Sequence, residues 1–247
     1  MDRIQISRAQ IITRNEEKMK QPFQFVWVLG SGSKWDDNEI RYSIRSVLKH
    51  HPDAGIMIVG ECPEWHTGED HVFVPDADPC PYVNQWRKLE HACLMYDEFI
   101  YMDDDFYLLE PLEAVHYRFG TLAEYMKNLK STAHWGKVVR ATFELLPGAD
   151  RHLLHVPLPI LSRNFLDIAN RHPQRLKAPS LVPRQIYCHH ETAFEMRDIP
   201  QKVKTRRFYR VEGMPFFSTG NNVNLIKHHL RNLYRKPSKY ERTPPRR

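Results

Sequence analysis

Three consecutive carboxylates, Asp103-Asp104-Asp105, are the sharpest chemical feature of the chain. Like charges this close repel, so burying them without a cation is costly. Their flanks are apolar, with Phe99-Ile100-Tyr101-Met102 before and Phe106-Tyr107-Leu108-Leu109 after. That places the triplet at the end of a core strand and not on a solvated tail. Hard oxygen ligands suit Mg²⁺ or Mn²⁺, and these ions bridge to phosphates. The plainer reading is an acidic turn between two strands.

A second candidate lies in Asp36-Asp37-Asn38-Glu39-Ile40-Arg41-Tyr42-Ser43-Ile44-Arg45-Ser46. Arg41 and Arg45 are four apart and share a helix face. They fall early in a helix, where free amides also favour anions. Two forked guanidiniums there suit a diphosphate. Surface pairing with Asp37 or Glu39 explains the spacing equally well. The third candidate is His155 in His-Val-Pro-Leu-Pro. Flanking prolines fix the chain, and a positioned imidazole can serve as a general base. One histidine among fourteen is weak on its own. The pairs His50-His51, His189-His190 and His228-His229 read as helix-end or surface residues, and none has zinc spacing with a cysteine.

Lys202, Lys204, Arg206, Arg207 and Arg210 form a basic, strand-like stretch. It suits phosphates, but it equally suits a solvated edge strand, which lysines blunt. The five tryptophans are scattered, so core packing is their default role.

These residues need a frame. The pattern predicts strands over 23–29, 55–60 and 71–74, then strand, acidic break and strand over 98–109. Asp36 or Asp37 can cap a helix running to His50, and a second helix covers 83–96. Alternating strands and helices predict an α/β fold, a mostly parallel sheet flanked by helices. Ligands of such sheets bind beyond the strand carboxyl ends. The Gly30-Ser31-Gly32-Ser33 loop and the acidic triplet both follow strands and can meet at one edge. The second half reads as more helical, over 121–130, 136–146, 161–171, 184–196 and 222–234. No linker of clear composition divides the halves. The reading is one unit over 1–247, with a donor-side and metal-side half to 110, a helical acceptor-side half over 111–236 and a basic tail over 237–247.

Lys and Arg exceed Asp and Glu by 36 to 30, a net +6 over 247 residues. That mild basicity suits anionic ligands without choosing among them. The hydrophobic fraction of 41% excludes wholesale disorder. Cys62, Cys80, Cys93 and Cys188 form no CxxC pair, so reduced thiols are expected. No signal-peptide pattern and no membrane-length apolar run is visible, which makes the cytoplasm the expected location.

The motifs resemble those of the Stealth proteins, a family of sugar-1-phosphate transferases. Asp36 to Ser46 is similar to that family's D-N-G-E-L-R-Y-S-L-R-S. Phe25-Val26-Trp27-Val28-Leu29-Gly30-Ser31 resembles its Y-T-W-V-N-G-S. Ile56-Met57-Ile58-Val59 with Pro63-Glu64-Trp65 resembles the strand and P-x-W that follow. Phe99 to Phe106 resembles F-L-Y-F-N-D-D-F. His155-Val156-Pro157-Leu158-Pro159 resembles H-x-P-x-P. Arg231 to Glu241 resembles the closing segment, which ends P-S-x-F-E. The matches run in order along nearly the whole chain. Two family carboxylates are replaced, by Gly32 and in Asn221-Asn222.

The resemblance implies a GT-A-like fold, a nucleotide-sugar donor and Mg²⁺ or Mn²⁺. It implies Asp104 and Asp105 as metal ligands with Asp103 in support. Gly30, Ser31, Arg41 and Arg45 would hold the donor, and His155 would take the acceptor proton. The expected reaction moves a sugar-1-phosphate to a glycan or other hydroxyl acceptor. The alternative is a GT-A glycosyltransferase forming a glycosidic bond from the same donor. A third reading, a basic module binding nucleic acid or glycan without catalysis, leaves the acidic triplet unexplained.

Overall fold

The computed structural model describes residues 23–31, 35–36, 38–130, 132–199, 215–219 and 227–242. A five-stranded sheet is its centre. Strands β1 (Gln24–Leu29), β2 (Gly55–Gly60), β3 (His71–Val72), β4 (Glu98–Met102) and a later strand, Leu158–Leu161, lie in the order β3-β2-β1-β4-Leu158–Leu161. The first four run parallel, and the last pairs antiparallel with β4. The fold is therefore α/β with a mixed, mostly parallel sheet flanked by helices.

Alternation along each strand covers both faces with apolar side chains. Phe25, Trp27, Ile56, Ile58, Ile100 and Met102 pack on one face with Ile40, Ile44 and Val47 of helix α1 (Asn38–His50). Val26, Met57, Val59, Phe99 and Tyr101 pack on the other with Trp86 and Leu89 of helix α2 (Pro81–Met95). Two serines of α1 are buried because each accepts a hydrogen bond across the core. Ser43 Oγ accepts from Trp27 Nε1 at 2.9 Å, and Ser46 Oγ accepts from the Leu108 amide at 3.0 Å. Pro81 opens α2, where a missing N–H costs nothing.

Short strands β5 (Phe106–Leu108) and β6 (His116–Arg118) follow β4. Helix α3 (Leu122–Lys127) is shorter than the expected 121–130. A reciprocal capping box between Thr121 and Glu124 starts it. Helix α4 (His134–Leu145) and helix α5 (Ser162–Arg171) fall close to expectation, whereas strand β7 (Leu158–Leu161), which completes the sheet, is not among the expected elements. Helix α6 (Pro183–His190) stops six residues before the expected 196. There Glu191 turns its carboxylate onto the amides of Thr192 and Ala193. The chain then forms β8 (Met196–Asp198), which pairs parallel with β6. Strand β9 (Phe216–Ser218) pairs antiparallel with β5, and helix α7 (Lys227–Leu233) follows. The expected third strand over 71–74 shrinks to His71–Val72 at the sheet edge. The basic stretch 202–211, residues Asp37, Gly32 and Ser33, the start of the expected 222–234 helix and the end of the tail lie outside the described residues. All four cysteines are free thiols. No described helix is long and apolar enough to cross a membrane.

Candidate functional site

The sheet order reverses between β1 and β4. The chain runs from β1 outward to β2 and β3, then crosses back to β4 on the other side of β1. Crevices for ligands open beyond the carboxyl ends of strands at such a reversal. Gly30-Ser31 follows β1 and Asp103-Asp104-Asp105 follows β4, so the two expected loops flank this point.

Gly30 and Ser31 are exposed and braced from below. The Ser31 amide donates to Asp76 Oδ2 at 3.4 Å. Lys88, 2% exposed, donates to Asp76 Oδ1 at 2.5 Å and to the Leu29 carbonyl at 2.8 Å. A Cβ on Gly30 would stand 3.0 Å from Asp76 Oδ2, so a side chain there would have to push the Asp76 carboxylate aside. Neither Asp76 nor Lys88 carried a signal in the sequence.

Among the described residues, Tyr101, Ser218 and His155 face the carboxylates of the acidic turn. Tyr101 Oη donates to Asp103 and accepts from Gln85 Nε2 at 2.7 Å. Ser218 of β9 donates its hydroxyl to Asp105 Oδ2 at 2.7 Å. His155, just before β7, points Nδ1 at Asp105 Oδ1 across 3.9 Å, with its ring edge-to-face on Phe106. That Nδ1 is buried and has no hydrogen-bond partner among the described residues. One ligand atom each from Asp103, Asp105 and His155 lies within 4.8 Å of the others.

The charge balance is unfavourable without a cation. Asp104 is pushed well above the ordinary carboxylate range, by burial first and then by Asp105, Asp103 and the buried Glu39. Two carboxylates and an orphaned imidazole nitrogen converging on one point fit a divalent cation such as Mn²⁺ or Mg²⁺. The sequence reading takes Asp104 and Asp105 as ligands with Asp103 in support, and His155 as a base. The geometry instead groups Asp103, Asp105 and His155. The turn closed by the Phe106 amide on the Asp103 carbonyl helps decide which carboxylates converge.

Arg184 is the residue that the sequence did not single out. It stands at the start of α6 and is 7% exposed. Its guanidinium lies over the rings of Tyr101 and Phe106, 5.5 and 5.8 Å from their centroids. Its Nη2 is buried without a hydrogen-bond partner among the described residues. A buried, unmatched cation on the two residues that bracket the triplet suits an anionic ligand.

Arg41 and Arg45 are engaged elsewhere. Arg41 Nε donates to Glu241 Oε2 at 2.6 Å. Arg45 donates to both Glu241 oxygens, at 2.7 and 2.5 Å, and to the Tyr234 carbonyl at 2.9 Å. The expected donor clamp is, in this structure, a clasp on the C-terminal segment.

No protein-family model matches the chain, and no curated protein matches it. Solved structures similar to it include glycosyltransferases. GlyE of Streptococcus pneumoniae TIGR4 aligns with TM-score 0.35 and 10% identity, over 72% of this chain and 45% of GlyE. An active-site mutant of LgtC aligns at 0.40 and 10% identity, over 70% and 72%. A glycosyltransferase involved in glycosylation of the major capsid of PBCV-1 aligns at 0.41 and 6% identity, over 84% and 98%. The chain thus spans less than half the length of GlyE.

Proposed function

We propose that this chain is a divalent-cation-dependent transferase that uses a nucleotide-sugar donor and a hydroxyl acceptor on a glycan. The observation that carries this reading is the convergence of Asp103, Asp105 and the orphaned His155 Nδ1 at the sheet's reversal point. A cation held there supplies Lewis-acid neutralisation of donor phosphate charge. Arg184 adds a fixed positive charge where a phosphate oxygen gains charge, and its burial excludes competing water. Tyr101 and Ser218 hold the two carboxylates in place. Lys88 and Asp76 hold the Gly30-Ser31 loop open for the donor.

Two bonds in such a donor can break. The Stealth resemblance favours attack on the sugar-proximal phosphorus, with loss of a nucleoside monophosphate. The second reading is glycosyl transfer from the same site, with loss of a nucleoside diphosphate. An imidazole that turns Nδ1 to the carboxylates as a ligand is not available as the acceptor's base. In either reaction the departing phosphate can take that proton. The deciding experiment incubates the protein with nucleotide-sugars and Mn²⁺ or Mg²⁺ and separates the released nucleotides by chromatography. Monophosphate supports the first reading and diphosphate the second. Failure to bind any nucleotide-sugar with metal present sinks both.

A further inference from the structure

Four half-buried rings from three segments lie side by side close to the acidic turn. Tyr82 of α2 lies parallel to His134 at 6.0 Å and 14°, and tilted against Trp135 at 5.6 Å and 35°. Trp135 Nε1 donates to Tyr125 Oη at 3.4 Å. Arg151 lies over the Tyr125 ring, 5.1 Å from its centroid, and its buried Nε has no partner among the described residues. The rings are fixed, not loose. His134 Nε2 is 3.1 Å from the thiol of Cys80, and Tyr82, Tyr125 and Trp135 pack on the small buried cluster of Leu122, Val138, Val139 and Val182. Tyr82, Tyr125, His134 and Trp135 are each partly exposed, so this side of the cluster reaches solvent.

The run adjoins the proposed transfer site. Tyr82 and Gln85 are three apart on α2 and share a face, and Gln85 reaches Asp103 through the Tyr101 hydroxyl. Asp103 is also close enough to help raise the Tyr82 phenol, after burial.

We propose that Tyr82, Trp135 and Tyr125 form a stacking platform for successive pyranose rings of a glycan acceptor, which enters the site past Asp103. The inference deepens the transferase reading and rests on it. Ring faces carry negative potential, and the C–H face of a sugar presents the matching positive edge. The indole N–H and the phenols stand at the ring edges, where sugar hydroxyls need partners, and the Arg151 guanidinium stands over Tyr125. A run of several rings exceeds what one nucleobase covers, which assigns the platform to the acceptor and not to the donor.

The test is saturation-transfer NMR on the full chain with chitotetraose, cellotetraose and maltotetraose, irradiating aromatic protons. At least one oligosaccharide takes up saturation at its ring C–H positions. Trp135→Leu weakens that binding at least about tenfold, as loss of a stacking anchor does. Tyr125→Leu, on a separate helix, gives the same direction should Trp135→Leu melt at the assay temperature. Uptake by none of the three sugars overturns the proposal, as does unchanged affinity in a folded Trp135→Leu. A fall in affinity for UDP with Mn²⁺ in place of the oligosaccharide also overturns it, assigning the rings to a nucleobase. Sugar binding in a protein that binds no nucleotide supports the platform and overturns the transferase reading, so the two failures separate.

Discussion

Arg45 and Glu241 are 196 residues apart and share two hydrogen bonds, at 2.7 and 2.5 Å. Glu241 is 2% exposed and also accepts from Arg41 and from the Ser238 amide. Tyr240, next to it, stacks on His66 at 6.0 Å and 3°. The C-terminal segment is thus pinned across α1 and the loop after β2. Burial alone would raise the Glu241 carboxyl, but bonds from Arg45, Ser238 and Arg41 hold it down to about 2.

Breaking this clasp is expected to cost stability. Glu241→Gln leaves two guanidiniums without their counter-charge and should lose about 3 kcal/mol in urea unfolding. The folded carboxyl lies below its ordinary 4.5, so the contribution is complete above that pH and is lost as pH falls through about 2. The wild-type advantage over Glu241→Gln should therefore shrink on acidification through that window. A pH-independent difference would assign the effect to packing.

A separate acid sensitivity resides in His152. Its imidazole is 3% exposed and donates Nδ1–H to the Tyr117 carbonyl at 3.1 Å. Burial pushes its pKa down from 6.5 to about 4. The folded state thus holds the neutral ring, and stability falls as pH drops from 6.5 towards 4. The expected loss is about 3 kcal/mol across the window. His152→Gln should flatten that part of the pH–stability curve, read by urea midpoints.

Metal dependence should follow Asp105. Asp105→Asn is expected to abolish Mn²⁺ binding by calorimetry and to lower donor turnover by roughly 10²–10³-fold, the scale of losing one preorganised electrostatic stabiliser. EDTA should reproduce the loss in wild type. Full turnover in the variant with EDTA present would remove the cation from the reaction.

His155→Ala separates ligand from base. As a ligand, His155 should weaken Mn²⁺ affinity on removal, and excess Mn²⁺ should restore part of the rate. As a base, its loss should leave metal affinity intact and remove the acidic limb of the pH–rate profile. The geometry predicts the first pattern.

Arg184→Leu should trade function for stability. Removing a buried, unmatched cation in favour of an apolar side chain is neutral or stabilising in urea unfolding. Donor affinity should fall by about tenfold or more, since a charge-assisted hydrogen bond is worth roughly 1.5–3 kcal/mol. A stability loss with unchanged donor affinity would make Arg184 a core residue alone.

The comparison of sequence and structure is clearest at the acidic turn. Apolar flanks were enough to place Asp103-Asp104-Asp105 after a core strand, and the structure has it between β4 and β5. The triplet alone did not tell which carboxylates converge. Ser218 and His155, 113 and 50 positions from Asp105, decide that, because they approach its oxygens from β9 and from the bend before β7. Arg41 and Arg45 show the reverse case. Their spacing read correctly as one helix face, yet the same pattern serves a phosphate or a carboxylate. Helix α6 ended early for a local reason, the fold-back of Glu191, but periodicity in apolar residues does not register a side chain capping the next two amides.

The sequence by itself determined the alternation of strands and helices, the apolar burial of both sheet faces and the position of the carboxylates at a strand end. Each of these depends on neighbours within a few residues, through helix and strand periodicity. Only the tertiary structure decided that Glu241 occupies Arg41 and Arg45, that His155 faces Asp105, and that Arg184 lies buried over Tyr101 and Phe106. Those relations join segments far apart in the chain. They are set by which helix packs on which face of the sheet, and no local pattern of residue types encodes that choice.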